Sequence, residues 1–166
     1  MQQAQVRVAV VDDLPRLTAI YNHYVLETAI TFDTEELSVE QRRVWFDQHA
    51  PAGRHQLLVA EIGGDVVGYA ATGTFRPKRA YETSVEMSIY LDPAATGRGI
   101  GSSLYAALFP RLQGEDIRRA LAGVTLPNPA SISLHERFGF RQVARFSENG
   151  RKFGRYWDVV WLERAI

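Results

Sequence analysis

A glycine-rich turn lies between a strand-like run and a helical run near the middle of the chain. The strand-like run is Val85 to Leu91, and the turn reads Ala95-Thr96-Gly97-Arg98-Gly99-Ile100-Gly101-Ser102. Glycine has no Cβ, so the main chain of such a turn can approach a ligand closely. Free N–H groups at the start of the following helix attract anions. The pattern predicts a phosphate-binding turn, and an ordinary tight turn is the alternative interpretation.

Two common nucleotide-binding motifs do not fit this turn. The spacing Gly97-x-Gly99-x-x-Ser102 lacks the third glycine of a dinucleotide-binding fingerprint, and Glu115-Asp116 precede the next strand instead of ending it. The Gly-Lys-Ser/Thr sequence of a Walker loop is missing as well. The turn therefore indicates neither an NAD-type site nor a nucleoside-triphosphate site.

A second motif runs from Asn128 to Phe140. Asn128 can cap a helix that Gly139 closes, and His135 follows the asparagine by seven residues. With these two motifs the chain resembles the GNAT superfamily of N-acetyltransferases, whose coenzyme A loop has the form Gln/Arg-x-x-Gly-x-Gly/Ala. The asparagine, the histidine and the following Gly-Phe stand at the spacing of that superfamily's later motif.

Four further segments resemble the phosphinothricin acetyltransferase branch of the superfamily. They are Ser84-Val85-Glu86, Ser88-Ile89-Tyr90-Leu91, Tyr21-Asn22-His23 and Lys152-Phe153-Gly154-Arg155-Tyr156-Trp157-Asp158. The resemblance covers nearly the whole chain. It implies a GNAT fold of the α+β (mixed α/β) class: a twisted, mostly antiparallel sheet, splayed at the acetyl-CoA site and flanked by about four helices. It also implies a homodimer supported by the carboxy-terminal hairpin.

Composition narrows the class of protein. With 166 residues, of which 46% are hydrophobic, the chain can form one sizeable core, and we predict a single domain over residues 1–166. The 19 basic and 19 acidic side chains leave no net charge, which argues against nucleic acid as the partner. Zero cysteines exclude disulfides, zinc–thiolate sites and a cysteine acyl-enzyme.

Targeting signals are missing from the sequence. No apolar run has the length of a membrane span, and Met1 to Gln5 lacks the charged and apolar parts of a signal peptide. We therefore expect a cytoplasmic protein that acts on a small molecule without contacting a membrane.

Hydrophobic periodicity and turn residues predict the order of elements. A helix is expected after a cap at Asp12 or Asp13, and Pro110 is expected to kink or end a later helix near Phe109. The other predicted segments are strands at Gln5 to Val11, Leu57 to Ile62, Val66 to Phe75 and Ala120 to Leu126, a helix from Ser38 to His49, and a final pair of strands, Arg141 to Phe146 and Tyr156 to Leu162, around Asn149-Gly150. This order favours an α+β fold over regular strand–helix alternation.

Two side chains are candidate catalytic groups. Glu86 alternates with Val85 and Met87 on its strand, and we predict that it is the general base, directly or through water; an exposed edge carboxylate is the alternative. The resemblance places His135 where related enzymes have a tyrosine that protonates the leaving thiolate. A histidine packed beside the core is the alternative interpretation.

The cofactor expected from the resemblance is acetyl-CoA, as a co-substrate, with no metal. Main-chain N–H groups from Thr96 through Gly97, Arg98, Gly99 and Ile100 to Gly101, with the Ser102 hydroxyl, would hold the diphosphate. Thr96 stands where the superfamily has Gln or Arg, and Arg98 either replaces that donor or stays in solvent. The main chain of Ile89, Tyr90 and Leu91 would pair with the pantetheine arm. Asn128 would bind the arm, cap its helix or do both, and Arg137 reaches the cofactor or lies in solvent.

The acceptor site is predicted from two loops. Arg76 ends a strand with Tyr81 nearby, and Phe32 and Thr34 lie in the loop between the first helices. An arginine fork suits a carboxylate or phosphinate, whereas Lys78 and Arg79 also fit a solvated basic loop. We expect an N-acetyltransferase of small amino-acid-like amines such as phosphinothricin, methionine sulfoximine or methionine sulfone. The alternatives are an acetyltransferase of peptide N-termini and a catalytically silent acyl-CoA-binding sensor.

Overall fold

The computed structural model describes residues 4–166 of the chain, so the first three residues of the segment tested for a signal peptide lie outside it. Within these residues the chain forms four α-helices and a seven-stranded sheet. The helices are α1 (Leu14–Glu27), α2 (Val39–Phe46), α3 (Ile100–Leu112) and α4 (Pro129–Arg137). The strands are β1 (Gln5–Val8), β2 (Leu57–Ile62), β3 (Asp65–Thr74), β4 (Ser84–Leu91), β5 (Arg119–Thr125), β6 (Arg141–Lys152) and β7 (Arg155–Ala165).

The sheet has the strand order β1-β2-β3-β4-β5-β7-β6, and β4 and β5 are its one parallel pair in the described chain. β4 pairs with β3 from Val85 to Leu91, but with β5 only at Ser84–Arg119, Val85–Ala120 and Glu86–Leu121. Beyond Glu86 the two strands separate. The predicted α+β class, the mostly antiparallel sheet, its splay and the four helices are confirmed.

Two hydrophobic layers cover the two faces of the sheet. On one face α3 contributes Leu104 and Leu108 to the larger core, into which Val85 and Met87 of β4 also point. On the other face α1 packs Leu17 and other apolar side chains against β2 and β3, and Tyr90 of β4 borders this smaller core. Alternating side chains of β4 therefore enter different layers, as the period of a strand requires.

The carboxy-terminal hairpin is longer than predicted, and its turn lies elsewhere. The turn consists of Phe153 and Gly154, whose φ angles are +53° and +71°, and not of Asn149-Gly150. Asn149-Gly150 lie within β6, where the register shifts between Phe146 and Gly150. The prediction was wrong because Gly150 makes a long-range contact and not a turn: the Phe32 ring lies where a Cβ of Gly150 would be.

Two predicted helix boundaries also differ. Helix α3 continues through Pro110 to Leu112, which is fully buried in the larger core, so packing outweighs the hydrogen bond that proline cannot donate. At the amino end, β1 stops at Val8 and Asp13 makes no capping bond to α1. Its carboxylate instead accepts hydrogen bonds from Arg7 (2.7 Å) and from the backbone N–H of Val10 (2.8 Å), which turn the chain early.

A buried hydrogen bond joins α3 to α4. The Tyr105 hydroxyl lies 2.9 Å from His135 Nε2, and His135 Nδ1 lies 2.7 Å from the Ser131 carbonyl oxygen. Because only a protonated Nδ1 can donate to that carbonyl, the neutral imidazole must accept from Tyr105 at Nε2. The side chain of His135 is only 2% exposed, and burial lowers its pKa more than the Ser131 bond raises it.

We expect His135→Gln to change how unfolding depends on pH. The pKa of His135 is lower in the folded chain than its value of about 6.5 in the unfolded chain, so the unfolded state binds more protons below about pH 6.5. Its contribution to stability is therefore present above that pH and is lost as the pH falls. The variant should be about 1–3 kcal/mol less stable near neutral pH. It should also lose less stability than the parent between about pH 7.5 and 5.

Urea unfolding of both proteins at the two pH values measures this difference. An unchanged pH dependence in a folded variant would show that His135 does not stay neutral in the folded chain.

Candidate active site

A cleft opens where β4 and β5 separate. Glu86 and Tyr90 of β4, Thr125 of β5, and Asn128 and His135 of the α4 segment all line it. The remaining lining residues are Ile30, Met87, Ser88, Ile89, Ala122, Gly123, Val124 and Ser131. The structure thus brings together both predicted catalytic residues and part of the predicted cofactor set.

The edge of β4 that faces the cleft carries the main-chain groups of odd-numbered residues. The Thr83 carbonyl accepts from Arg118 N on the β5 side (2.7 Å), whereas Asp92 N donates to Val67 O on the β3 side (2.8 Å). Since successive residues point their main-chain groups to opposite edges, Ile89 and Leu91 face the cleft. Tyr90 turns its main-chain groups to β3, so of the three residues expected to pair with the pantetheine arm only Ile89 and Leu91 face the cleft.

The side chain of Tyr90 has a different role from the one predicted for its main chain. Its ring packs edge-on against Tyr21 of α1, with 5.1 Å between ring centroids, and also contacts Tyr24 and Tyr69. The Tyr24 hydroxyl donates to the Leu91 carbonyl (2.6 Å), which leaves the Leu91 N–H and the main chain of Ile89 at the open edge.

Glu86 lies at the point of separation of the two strands. It is the last residue of β4 that pairs with β5, and its half-buried side chain lines the cleft. Burial raises the pKa of its carboxyl group, and the nearby charge of Arg76 offsets part of that rise. A carboxylate with a raised pKa is suited to accept a proton near neutral pH.

His135 lines the same cleft but is not free to exchange protons there. Both ring nitrogens are engaged, Nε2 with Tyr105 and Nδ1 with Ser131, and its lowered pKa keeps the ring neutral. A neutral imidazole whose one N–H is bonded to a carbonyl has no proton to donate into the cleft. This geometry corresponds to the packed histidine that we considered as the alternative.

The glycine turn leads directly into α3. Gly97 and Gly99 have φ angles of +72° and +77°, which L side chains rarely adopt. The first hydrogen bond of the helix joins Ser103 N to Gly99 O, so the N–H groups of the three preceding helical residues lack partners within the helix. The Thr96 hydroxyl donates to the Pro93 carbonyl (2.9 Å), and Arg98 is exposed.

Gly101 is buried and differs from the two glycines before it. A Cβ at this position would lie 3.0 Å from Leu134 of α4 and 3.4 Å from Ile89 of β4. Its missing side chain therefore allows α3 to pack closely against α4, and only its N–H belongs to the open helix start. Ile100 likewise points its side chain into the core.

Two polar side chains of the α4 segment flank this helix start. Arg137 Nη1 donates to Ser102 Oγ (2.8 Å), so a guanidinium lies beside the unpaired N–H groups. Asn128 Oδ1 accepts from Ser131 N (3.1 Å) and caps α4 as predicted, while the residue also lines the cleft. The motif in α4 and the glycine turn thus meet in space, which sequence spacing alone does not require.

The predicted acceptor residues are divided between two places. Arg76 and Tyr81 line a second, basic pocket together with Arg54, His55 and Lys78. Phe32 is 37% exposed and lies against Gly150 of β6, whereas Thr34 is exposed in the same loop. The influence of Arg76 on the pKa of Glu86 links the basic pocket to the cleft.

Several residues of the site escaped the sequence analysis. Ile30 lines the cleft. The Tyr24 hydroxyl donates a hydrogen bond to the Leu91 carbonyl, and the Tyr105 hydroxyl is hydrogen-bonded to His135. Tyr24 follows Tyr21 by three residues on one face of α1, a spacing that predicts a shared face but not a strand as the partner. No local signal identifies the other two, because their partners are distant in sequence.

Residues 4–166 contain no group of His, Asp and Glu side chains arranged to hold a metal ion. In the same range no helix is long and apolar enough to cross a membrane.

Comparisons with known proteins identify the family of this chain. Residues 6–161 match the family described as an acetyltransferase (GNAT) domain. The chain is 53% identical to phosphinothricin N-acetyltransferase of Streptomyces coelicolor, over 99% of this chain and 97% of that protein. It is 34% identical to L-methionine sulfoximine/L-methionine sulfone acetyltransferase of Pseudomonas aeruginosa, over 96% and 93% of the two chains.

Among solved structures, a GNAT superfamily phosphinothricin acetyltransferase from Sinorhizobium meliloti in complex with AcCoA is similar, with a TM-score of 0.92 and 34% identity. The alignment covers 98% of this chain and 88% of that one. The resemblance inferred from the two motifs is therefore confirmed: the chain belongs to the GNAT family of N-acetyltransferases.

Proposed function

We propose that this chain transfers an acetyl group from acetyl-CoA to the primary amine of a small amino-acid-like acceptor of the phosphinothricin, methionine sulfoximine or methionine sulfone type. The proposal rests on one observation: Glu86, a half-buried carboxylate with a raised pKa, lies in the cleft at the point where β4 and β5 separate. The names of the relatives from Streptomyces coelicolor and Pseudomonas aeruginosa support this acceptor class.

The residues of the cleft fit coenzyme A. The diphosphate would be held by the open N–H groups from Gly97 to Ser102, with Arg137 beside them. The amides of the pantetheine arm would pair with the open edge of β4 at Ile89 and Leu91, and the Nδ2 amide of Asn128 is a further donor. Acetyl-CoA supplies the acetyl group as a thioester, and its thiol is the leaving group.

Glu86 is the proposed base. A free α-amino group has a pKa of about 7.7–8.0 and is mostly protonated at pH 7, yet only the unprotonated amine is a nucleophile. Glu86 would take the proton, directly or through a water molecule. The raised pKa that follows from its burial brings the carboxyl group closer to that of the amine.

His135 is proposed to position the site. Its bond to Tyr105 joins α3 to α4. This bond fixes the position of the start of α3, which would face the diphosphate, with respect to Asn128 at the start of α4. The thiol hydrogen of the released coenzyme A would then come from solvent or from protonated Glu86. Arg76 is proposed to bind the acceptor carboxylate with Tyr81 beside it. Phe32 and Thr34, in the loop between α1 and α2, are proposed to contact the acceptor from a separate side.

A thiol-release assay tests the proposal against its alternatives. Phosphinothricin, methionine sulfoximine, methionine sulfone and a peptide with a free amino terminus are supplied in turn with acetyl-CoA. Turnover of the small amines is expected. Turnover of the peptide alone would favour an N-terminal acetyltransferase, and acetyl-CoA binding without any turnover would favour a sensor.

Three broader expectations accompany this function. We propose that residues 1–166 form one domain, that the protein is cytoplasmic, and that it is a homodimer through the β6–β7 hairpin. The exposed Phe146, Phe153 and Tyr156 on that hairpin support an interface there, because large exposed apolar side chains mark contact surfaces.

Gly99→Val is expected to weaken acetyl-CoA binding by at least about tenfold, because a branched side chain strains a backbone with positive φ and crowds the helix start. Calorimetric titration with acetyl-CoA measures the change. Gly114→Val is the matched control, since Gly114 also has a positive φ and open space but follows α3 instead of preceding it. Equal affinities in the two folded variants would contradict the assignment of the turn.

Glu86→Gln should lower kcat by about 10²–10⁴-fold, because the amide keeps the shape of the side chain but cannot accept the proton. Stopped-flow or steady-state thiol release across pH 6 to 9 measures this effect, and acetyl-CoA affinity should be unchanged. Near-parental turnover over that range would assign the proton transfer to another group.

Arg76→Lys should raise the acceptor KM by about ten- to a hundredfold, since an ammonium group cannot form two parallel hydrogen bonds with a carboxylate. Arg79→Lys on the same loop is the control. Arg76→Ala should in addition move the ascending limb of the kcat profile to higher pH, because loss of the positive charge raises the pKa of Glu86. A variant equally impaired on the acceptor acid and its methyl ester would show that Arg76 does not bind the carboxylate.

A further inference from the structure

The loop of residues 28–38 between α1 and α2 has no regular secondary structure, yet it contributes Ile30 to the wall of the cleft. Helix α1 holds both ends of this loop. The Thr28 hydroxyl donates to Tyr24 O (2.8 Å), and the Asn22 side chain pairs with both main-chain groups of Leu37 (2.9 and 3.1 Å). The ends are thus fixed locally, but the middle of the loop needs other partners.

Thr31 is the central contact of the loop. Its Oγ1 lies 2.8 Å from the Tyr21 hydroxyl, which donates to Asp33 Oδ2 (2.6 Å). The Tyr21 ring also packs edge-on against Tyr90 in the cleft wall. A displacement of Thr31 would therefore move the loop and the aromatic wall beside Glu86 together.

A buried lysine holds Thr31 from the far end of the chain. Lys152 Nζ donates to the Thr31 carbonyl oxygen (2.8 Å) across 121 residues of sequence, and Lys152 is only 4% exposed. Burying an ammonium group is costly unless it is compensated. Compensation comes from this bond and from the negative charge of Asp33, while Trp157 Nε1 donates to the Lys152 carbonyl (2.9 Å) and fixes its backbone.

Gly150 makes a second contact between the hairpin and the loop. The Phe32 ring lies where a Cβ of Gly150 would be, so any larger residue must displace the ring. Lys152 and Gly150 are both on β6, two residues apart, and their partners Thr31 and Phe32 are adjacent. The two contacts therefore fix both the main chain and a side chain of the loop.

We propose that Lys152 and Gly150 are positioning residues for the amine acceptor: the β6–β7 hairpin holds the 28–38 loop in the conformation that shapes the acceptor side of the cleft. This inference rests on the proposed function for its kinetic readout. Neither residue touches the acceptor, and both act through Thr31 and Phe32. The hairpin is therefore a determinant of acceptor specificity, in addition to its proposed role as the homodimer interface.

The first experiment replaces Lys152 by Met, with Arg151→Met as the matched control on the exposed side of the same strand. Lys152→Met should raise the KM of phosphinothricin about tenfold, because the variant loses one hydrogen bond from a charged group. The KM of acetyl-CoA should be unchanged. Hydrogen exchange of the amides of residues 28–34 should accelerate in Lys152→Met only. Lys152→Arg, which retains the charge and donors, should recover part of the affinity.

The second experiment is a double-mutant cycle between Gly150→Ala and Phe32→Ala. In the parent, Gly150→Ala should raise the acceptor KM severalfold because it displaces the ring. In the Phe32→Ala background the same change should have no effect, since no ring remains to clash. Equal effects in the two backgrounds would overturn the role of this contact.

The exchange measurement separates this inference from the proposed function. If the parent does not acetylate any amino-acid-like amine, the proposed function fails, while faster exchange in the loop still shows that Lys152 holds it. Unchanged exchange in Lys152→Met, or an equal rise in the KM of both substrates, would overturn the inference even in an active enzyme.

Discussion

The positions of the cleft residues follow from one break in the sheet, the separation of β4 from β5 after Glu86. A strand edge without a neighbour leaves main-chain N–H and C=O groups that must find partners. The Tyr24 hydroxyl supplies one, at the Leu91 carbonyl, and the remaining groups face a cleft that the α4 segment and the loop between α1 and α2 border. β4 tolerates the separation because β3 pairs with it from Val85 to Leu91, just as β7 pairs with all of β5.

Each face of the sheet contributes a different set of residues to the site. The face covered by α3 and α4 brings the glycine turn, Arg137 and Asn128 to one end, and the buried Tyr105–His135 bond fixes their relative position. The face covered by α1 brings the tyrosine cluster and the 28–38 loop to the other end. Glu86 lies where β4 and β5 separate, and the alternation of β4 points its side chain away from the α3 core.

Buried polar groups stabilise the layer of the molecule that α1 and α2 form. Arg42 of α2 lies between the rings of Tyr21 and Trp45, with 4.3 Å and 3.8 Å from its Cζ to the ring centroids, and donates to the Tyr69 hydroxyl (3.2 Å). Cation–π contacts of this kind gain strength when desolvated. Arg42 therefore stabilises the aromatic wall from behind, while the charge of the other buried cation, Lys152, is offset by Asp33.

Local sequence was sufficient to predict the order of the elements, the glycine turn, the cap at Asn128 and the orientation of Glu86, because steric preference, capping and strand alternation act within a few residues. The folded chain was needed to show that His135 Nε2 is bonded to Tyr105, that Tyr90 turns its N–H to β3, and that Gly150 accommodates a ring and not a turn. These outcomes depend on partners tens of residues away, whose approach is set by packing of the whole core. The contact of Lys152 with Thr31 is the extreme case, since no local pattern connects residues 121 positions apart.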